Sequence, residues 1–389
     1  MVKASSKKEK EKKNVDFTVV VTLLLLLSLG IIMVLSASSP TALAEDGDSY
    51  SYVKRQLVFA ALGLAGMYII SKIDYRIYQK MYKPIYVFVI LLLLAVPLIG
   101  YEVAGAKRWI NLFGITSFQP SEVAKIGLII FFAAYLVKFK DTLGKWWDKR
   151  TYNLPTGLIP TFFWLGIPCA ILLFLQTHLS ATLVIVAVIS IMMIVAGAKL
   201  KHFLIIALLG GAAGGTLLYL LATYADIGTF RIARLTAFLD PWSDPQVTGW
   251  QIIQSLYAIG SGGLFGVGLG NSMQKYLYIS EPQNDFIFAV IAEELGFIGC
   301  AIILLLFAVL IWRGIMIAIN AKDMFGTLLA VGIISLISIQ VIINIGVVTS
   351  VFPVTGMALP FFSYGGTSLF VLLCTMGILL NISRHTNKV

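Results

Sequence analysis

Apolar runs of about 18 residues or more, long enough to cross the hydrocarbon core of a bilayer, recur along the whole chain. About ten can be marked on a criterion of ~20 residues per helix. Their cores are Phe17–Leu35, Gln56–Ile70, Pro84–Ile99, Val123–Val137, Thr156–Leu175, Leu179–Val195, Phe203–Leu221, Phe286–Ile311, Phe325–Ser350 and Ala358–Leu380. Only "QTHLS", Gln176 to Ser180, separates the fifth from the sixth. The composition agrees: 59% of the 389 residues are hydrophobic and 12% are charged, against roughly 45–50% and ~25% in soluble domains. The expectation is an all-α polytopic membrane protein. It has one transmembrane domain over 16–381, a basic tail over 1–15 and a short tail over 382–389.

Charge placement gives an orientation. The formal charge of +10 would suggest nucleic acid in a soluble protein, but its distribution follows the positive-inside bias instead. With the N-terminus inside, about 21 Lys and Arg fall on the cytoplasmic side and about seven outside. Both termini are then cytoplasmic in the inner membrane. The first apolar run follows "KASSKKEKEKK". It exceeds the 7–15 residues of a typical signal-peptide core, so it reads as an uncleaved span. Three scattered cysteines and three scattered histidines form no disulfide framework or zinc spacing.

Two external stretches stand out. One is "YEVAGAKRWINLFGITSF" before the fourth span. The other is the long loop 224–285 before the eighth, which carries Trp, Phe, Tyr and Leu throughout. Short helices lying at or dipping into the outer interface are expected there. Within it, "SGGLFGVGLG", Ser261 to Gly270, reads as a glycine-rich turn that packs closely or approaches a ligand. It lacks the βαβ context of a dinucleotide loop. "GGAAGG", Gly210 to Gly215, reads as close helix packing inside the seventh span.

The polar residues in and beside the spans are the functional candidates. In "FQPSEVAK", Glu122 and Lys125 are three apart and share one helix face. Intramembrane charges are costly and usually face a bundle interior or a water-filled site. Lys107 and Arg108 lie outside, against the charge rule, where a basic pair can hold phosphate or anchor an interface. Arg231 and Arg234 carry the same ambiguity. Asp285 either caps the eighth span or belongs to a site with Glu281 before it and Lys275 near it. Glu293 lies about 12 Å deeper, offset by about 80°, and Glu294 points nearly opposite Asp285.

Six motifs in order carry a resemblance. They are "GAKRWINL", "FQPSEVAK", "LDPWSDPQVTGWQIIQS", "AIGSGGLFGVGLGNSMQKYLY", "EPQNDFIFAVIAEELGFIG" and "MALPFFSYGGTSLFV…GILLNISR". On these the chain resembles the SEDS family (shape, elongation, division, sporulation) of peptidoglycan polymerases, over nearly its whole length. The basic N-terminus, "NSMQKYLY" and "NISR" look closer to the FtsW/SpoVE branch than to RodA. The resemblance implies a glycosyltransferase acting on lipid II outside the membrane, in division or sporulation. It places the family's essential aspartate on Asp285 and its charged pair on Glu122 and Lys125. It also implies a class B penicillin-binding protein, a transpeptidase, as partner, among other divisome or sporulation proteins. Two departures are visible. The common Pro-Glu-x-His-Thr-Asp reads Ser280-Glu281-Pro282-Gln283-Asn284-Asp285 here, and the commoner Gln-Pro-Asp reads Gln176-Thr177-His178.

The chemistry expected is attack of a sugar hydroxyl on an anomeric carbon, with Asp285 as general base. The departing polyprenyl pyrophosphate needs cationic stabilisation. Candidates are Lys107, Arg108, Lys275, Arg231 or a divalent cation, Mg or Mn. Glu281, Glu122 and Lys125 would bind substrate or orient Asp285. The alternative is a lipid II flippase, in which Glu122, Lys125, Glu293 and Glu294 form a path through the bilayer. A scaffold that only recruits wall enzymes would need no polar groups inside its spans.

Overall fold

The computed structural model describes residues 15–103, 106–112, 116–148, 156–206, 208, 238, 240–245, 249–276 and 278–386. Helix α1 (Phe17–Asp46) begins with Asp16 capping the Val19 amide and ends at Gly47, in the left-handed conformation that glycine adopts without strain. Its 30 residues extend about 45 Å, more than the hydrocarbon core requires. The helices that follow are α2 (Ser51–Ile70), the short α3 (Arg76–Lys80), α4 (Tyr82–Ile99) and α5 (Pro120–Phe139). Then come α6 (Leu158–Ala170), extended by a wide turn over Ile171–Leu175, and α7 (Leu179–Val195). The last four are α8 (Trp250–Gly262), α9 (Ile287–Ile319), α10 (Met324–Val348) and α11 (Gly366–Ser383).

Seven of the described helices are long and apolar enough to cross a membrane. Nine of the ten expected spans coincide with α1, α2, α4, α5, α6, α7, α9, α10 and α11. Most of the seventh, Phe203–Leu221, lies outside the described residues, as do Gly210–Gly215. The tenth starts at Gly366 rather than Ala358, because Val351–Gly365 forms a loop. Side chains such as Leu98, Phe174 and Leu305 stand on the outside, 82%, 81% and 64% exposed, as lipid contact requires.

Helices α5 and α10 form the centre of the bundle, buried on most faces. Helix α2 packs along α11, and glycines allow the approach: a Cβ on Gly377 would stand 2.7 Å from the Met67 carbonyl oxygen. One element departs from the purely helical expectation. The stretch before α5 forms a small antiparallel meander of β1 (Tyr101–Val103), β2 (Ala106–Leu112) and β3 (Thr116–Phe118). Tyr101 pairs with Trp109 and Ile110 with Phe118. Alternation along β2 puts Arg108 on the face of the buried Ala106 and Ile110, and Lys107 on the other, exposed face.

Helix α9 is broken at Gly296, which has φ 66°. A break leaves carbonyls and amides without helical partners, which is costly unless another segment supplies them. The glycine-rich segment after α8 does so. The Val267 and Gly268 amides donate to the Glu293 and Glu294 carbonyls at 2.9 and 3.1 Å. The Phe297 and Ile298 amides donate back to the carbonyls of Gly263 and Leu264 at 2.9 and 3.1 Å. "SGGLFGVGLG" is thus a close-packing segment, threaded against a helix break about 16 Å below Asp285 at 1.5 Å per residue.

Gly266 has φ 79°, and a Cβ there would stand 2.1 Å from the Glu294 carbonyl oxygen. Gly266→Ala is therefore expected to lower the melting temperature. The left-handed backbone alone costs about 1–2 kcal/mol, and the backbone clash adds to it. Thermal unfolding in detergent checks this; an unchanged transition would show that the segment does not need its close approach.

Candidate functional site

A cavity of about 840 Å³ opens at the sheet-bearing end of the bundle. Its polar lining includes Asp285, Glu281, Glu122, Arg108, Arg55 and Gln340. Its apolar wall includes Phe59, Leu62, Ile126, Leu336, Leu369 and Leu372, from four different helices. Sequence positions 55 to 372 thus meet around one space.

Glu122 and Lys125 enter from α5. Pro120 at the helix start removes one of the amides that would lack a helical partner there. The pair is closed at 2.8 Å, with Lys125 buried and Glu122 a quarter exposed toward the cavity. Arg108 reaches from β2 to the turn between α6 and α7, donating to the Thr177 carbonyl at 2.8 Å. Thr177 holds φ 49° there, unusual for a β-branched residue. His178 follows it. Burial pushes its imidazole down to about 3, with Arg108 and Lys125 adding to the shift, so it is neutral.

Asp285 precedes α9, whose N-cap position belongs to Phe286 rather than to Asn284 or Asp285. Its backbone is held closely. The carbonyls of Gln283, Asn284 and Asp285 accept, in order, from the Tyr364 amide at 2.8 Å, the Ser363 hydroxyl at 2.6 Å and the Asn344 side-chain amide at 2.7 Å. Glu281, at φ 55°, accepts from the side chains of Gln283 and Asn284. Burial raises its carboxyl above the ordinary value, and Glu45 adds to that.

Arg55 stands on α2 and lines the cavity with Tyr364, and it pairs with Asp46 at 3.1 Å. Its side chain is 58% exposed. The sequence reading missed Arg55, together with Asn344 and Ser363. The available signals were the lone amides Gln340 and Asn344 in an apolar helix and the polar "FSYGG" turn.

Other expected residues lie elsewhere. Lys107 is exposed and does not line the cavity. Lys275, expected near Asp285 as an external cation, is buried away from the cavity. It donates to Glu294 at 3.0 Å, Ser36 at 3.2 Å and the Gly270 carbonyl at 2.6 Å. Burial of Glu294 favoured that outcome, since a buried carboxylate needs a partner. Glu293 accepts from the Ser272 hydroxyl and from the amides of Met273 and Gln274. It therefore holds the stretch just after the threaded segment and does not line the cavity. Arg231 and Arg234 lie outside the described residues. Among the described residues no group of three or more His, Cys, Asp or Glu could hold a metal ion.

The sequence matches the family described as cell cycle protein, FtsW/RodA/SpoVE, over residues 17–388. It is 46% identical to the stage V sporulation protein E of Bacillus subtilis (strain 168) over 341 residues, covering 87% of this chain and 88% of that protein. It is 42% identical over 343 residues to a probable peptidoglycan glycosyltransferase FtsW of Geobacter sp. (strain M18), covering 87% and 88%. Among solved structures it resembles a chain from a peptidoglycan synthase complex that coordinates polymerization and crosslinking. The TM-score is 0.76 and the identity 28%, over 96% of this chain and 99% of that one. It also resembles the rod shape determining protein RodA of Thermus thermophilus, with TM-score 0.66 and 26% identity, over 96% and 98%.

Proposed function

The chain belongs to the FtsW/RodA/SpoVE family, and from that premise we propose that it is a peptidoglycan glycosyltransferase polymerising lipid II at the outer face of the membrane. The observation that carries the reading is a cavity that joins carboxylates, two arginines and an apolar wall. Lipid II needs each of these: a base for its sugar, cations for its pyrophosphate and an apolar surface for its polyprenyl chain.

In the reaction, a sugar hydroxyl of one lipid II attacks the anomeric carbon of another chain. The new bond is carbon to oxygen; the bond broken joins that carbon to the pyrophosphate oxygen. Asp285 takes the hydroxyl proton as general base. The pyrophosphate leaves as an anion and needs no acid, only cations. Arg108 and Arg55 supply them, each able to meet phosphate oxygens with two N–H groups. A single displacement inverts the anomeric centre. Glu122 lines the same cavity as Arg108, held from behind by the buried Lys125, and keeps that side polar. A divalent cation held beside Asp285, Glu281 or Glu122 would add positive charge at the same pyrophosphate.

Arg55→Ala is expected to raise KM for lipid II about tenfold, the scale of losing one charge-assisted contact of ~1.5 kcal/mol, with a smaller effect on folding. Steady-state polymerisation checks it. An unchanged KM and kcat would remove Arg55 from the pyrophosphate site.

The partner we propose is a class B penicillin-binding protein, supported by the likeness to a complex that joins polymerization with crosslinking. The N- and C-termini are proposed to be cytoplasmic on the positive-inside bias. A flippase would need Glu122, Lys125, Glu293 and Glu294 along a path, yet Glu122 and Lys125 pair with each other and the other two are engaged by Ser36, Ser272, Lys275 and the Met273 amide. The test is reconstitution of the protein with its transpeptidase partner in vesicles carrying lipid II. Glycan strands on the side of the sheet-bearing end support the polymerase. Movement of lipid II between leaflets without glycan would overturn it.

A further inference from the structure

Three consecutive carbonyls, those of Gln283, Asn284 and Asp285, are each caught by a different donor from the end of the chain. This leaves little freedom in the backbone that aims the Asp285 side chain.

The donors are built for the purpose. Asn344 sits near the end of α10, a mostly apolar helix, and is 1% exposed. An amide inside a membrane helix is costly unless it is hydrogen-bonded. Both of its N–H bonds are used, one to Asp285 at 2.7 Å and one to the Met357 carbonyl at 2.6 Å. Asn344 therefore ties the segment before α9 to the loop between α10 and α11. The Ser363 hydroxyl does the same from the other side. It donates to Asn284 and accepts from the Leu359 amide at 2.7 Å. The loop in turn passes close to the carboxylate: a Cβ on Gly356 would stand 3.6 Å from Asp285 Oδ2. Gly356 has φ 64°, a conformation that favours glycine.

We infer that Asn344 and Ser363 are positioning residues for the transferase reaction, clamping the backbone of residues 284 and 285 so that the Asp285 carboxylate stands at a fixed place in the cavity. This rests on the polymerase reading above. A general base displaced by about 1 Å can lose roughly 10²-fold in rate, so a residue that touches no substrate controls turnover through Asp285. A purely structural amide would instead stabilise α10 against the loop and leave turnover per folded molecule unchanged.

The experiment measures lipid II polymerisation by the full chain with its transpeptidase partner, normalised to folded protein by thermal unfolding in detergent. The variants are Asn344→Leu, Ser363→Ala and Ser363→Thr. Asn344→Leu is expected to lower kcat roughly 10²-fold with KM nearly unchanged, and to shift the acidic limb of the kcat/KM profile. Ser363→Ala is expected to lower kcat, and Ser363→Thr, which keeps the hydroxyl, to restore most of it. If Asn344→Leu does not fold, the Ser363 pair decides the matter, because it changes one hydroxyl in a loop. Wild-type kcat in folded Asn344→Leu or in Ser363→Ala overturns the clamp. So does a raised KM at unchanged kcat, or a loss in Ser363→Ala that Ser363→Thr does not relieve. A wild type that makes no glycan overturns the polymerase reading and this inference with it. A wild type that polymerises beside an unaffected variant overturns the clamp alone.

Discussion

Replacing Asp285 by Asn is expected to abolish glycan synthesis while leaving the fold in place. Asn has nearly the same shape, and the three bonds that hold residues 283–285 run to backbone carbonyls, which the substitution does not alter. What changes is the negative charge of the side chain and its capacity to take a proton. Loss of a positioned general base removes about 10²–10⁴-fold in rate. The pyrophosphate contacts of Arg55 and Arg108 are untouched, so lipid II should still bind. The measurement is polymerisation by purified protein with its transpeptidase partner, together with thermal unfolding and a lipid II binding assay. A folded variant that binds lipid II and makes no strands is the expected result. A variant that polymerises within a few-fold of wild type would show that Asp285 takes no proton in the reaction.

Lys275→Met is expected to have the largest effect on stability. Lys275 and Glu294 have side chains only 4% and 0% exposed. Removing one member of a buried pair strands the other, at a cost of about 3–5 kcal/mol. The Gly270 carbonyl and the Ser36 hydroxyl lose a donor as well. Adding Glu294→Gln should recover most of that loss, because the amide keeps its contact with Ser36 and strands no charge. Thermal unfolding of the two variants in detergent tests both statements. A wild-type transition in Lys275→Met would mean that Glu294 carries no charge needing compensation. An unchanged transition with a raised KM for lipid II would return Lys275 to the substrate site.

The bundle was legible wherever the signal is local. Hydropathy marks a span because every residue of a lipid-facing helix meets the same solvent, so α1, α4 and α9 could be read without knowing their neighbours. The charged pair of α5 was legible too, because residues three apart on a helix share a face wherever that helix goes. The break in α9 was not legible. Gly296 is one glycine among 34 in the chain, and the carbonyls it frees are satisfied by Gly263–Gly268, a segment about 30 residues earlier. The small sheet escaped as well, since seven residues of β2 look like any polar connection until their partner strands are aligned.

The sequence alone determined a polytopic helical membrane protein, the approximate place of most of its spans, and the order of motifs that mark its family. Only the tertiary structure decided which charges face the cavity. Lys275 lies ten residues from Asp285 in sequence yet points into a buried pair with Glu294. Arg55, far away in sequence, lines the cavity beside Tyr364. Asn344 and Ser363 reach the backbone at Asp285 from 59 and 79 residues away. The reason is physical. Partition into lipid depends on each segment's own composition, whereas a buried charge or amide is settled by whichever partner the packed helices bring within about 3 Å.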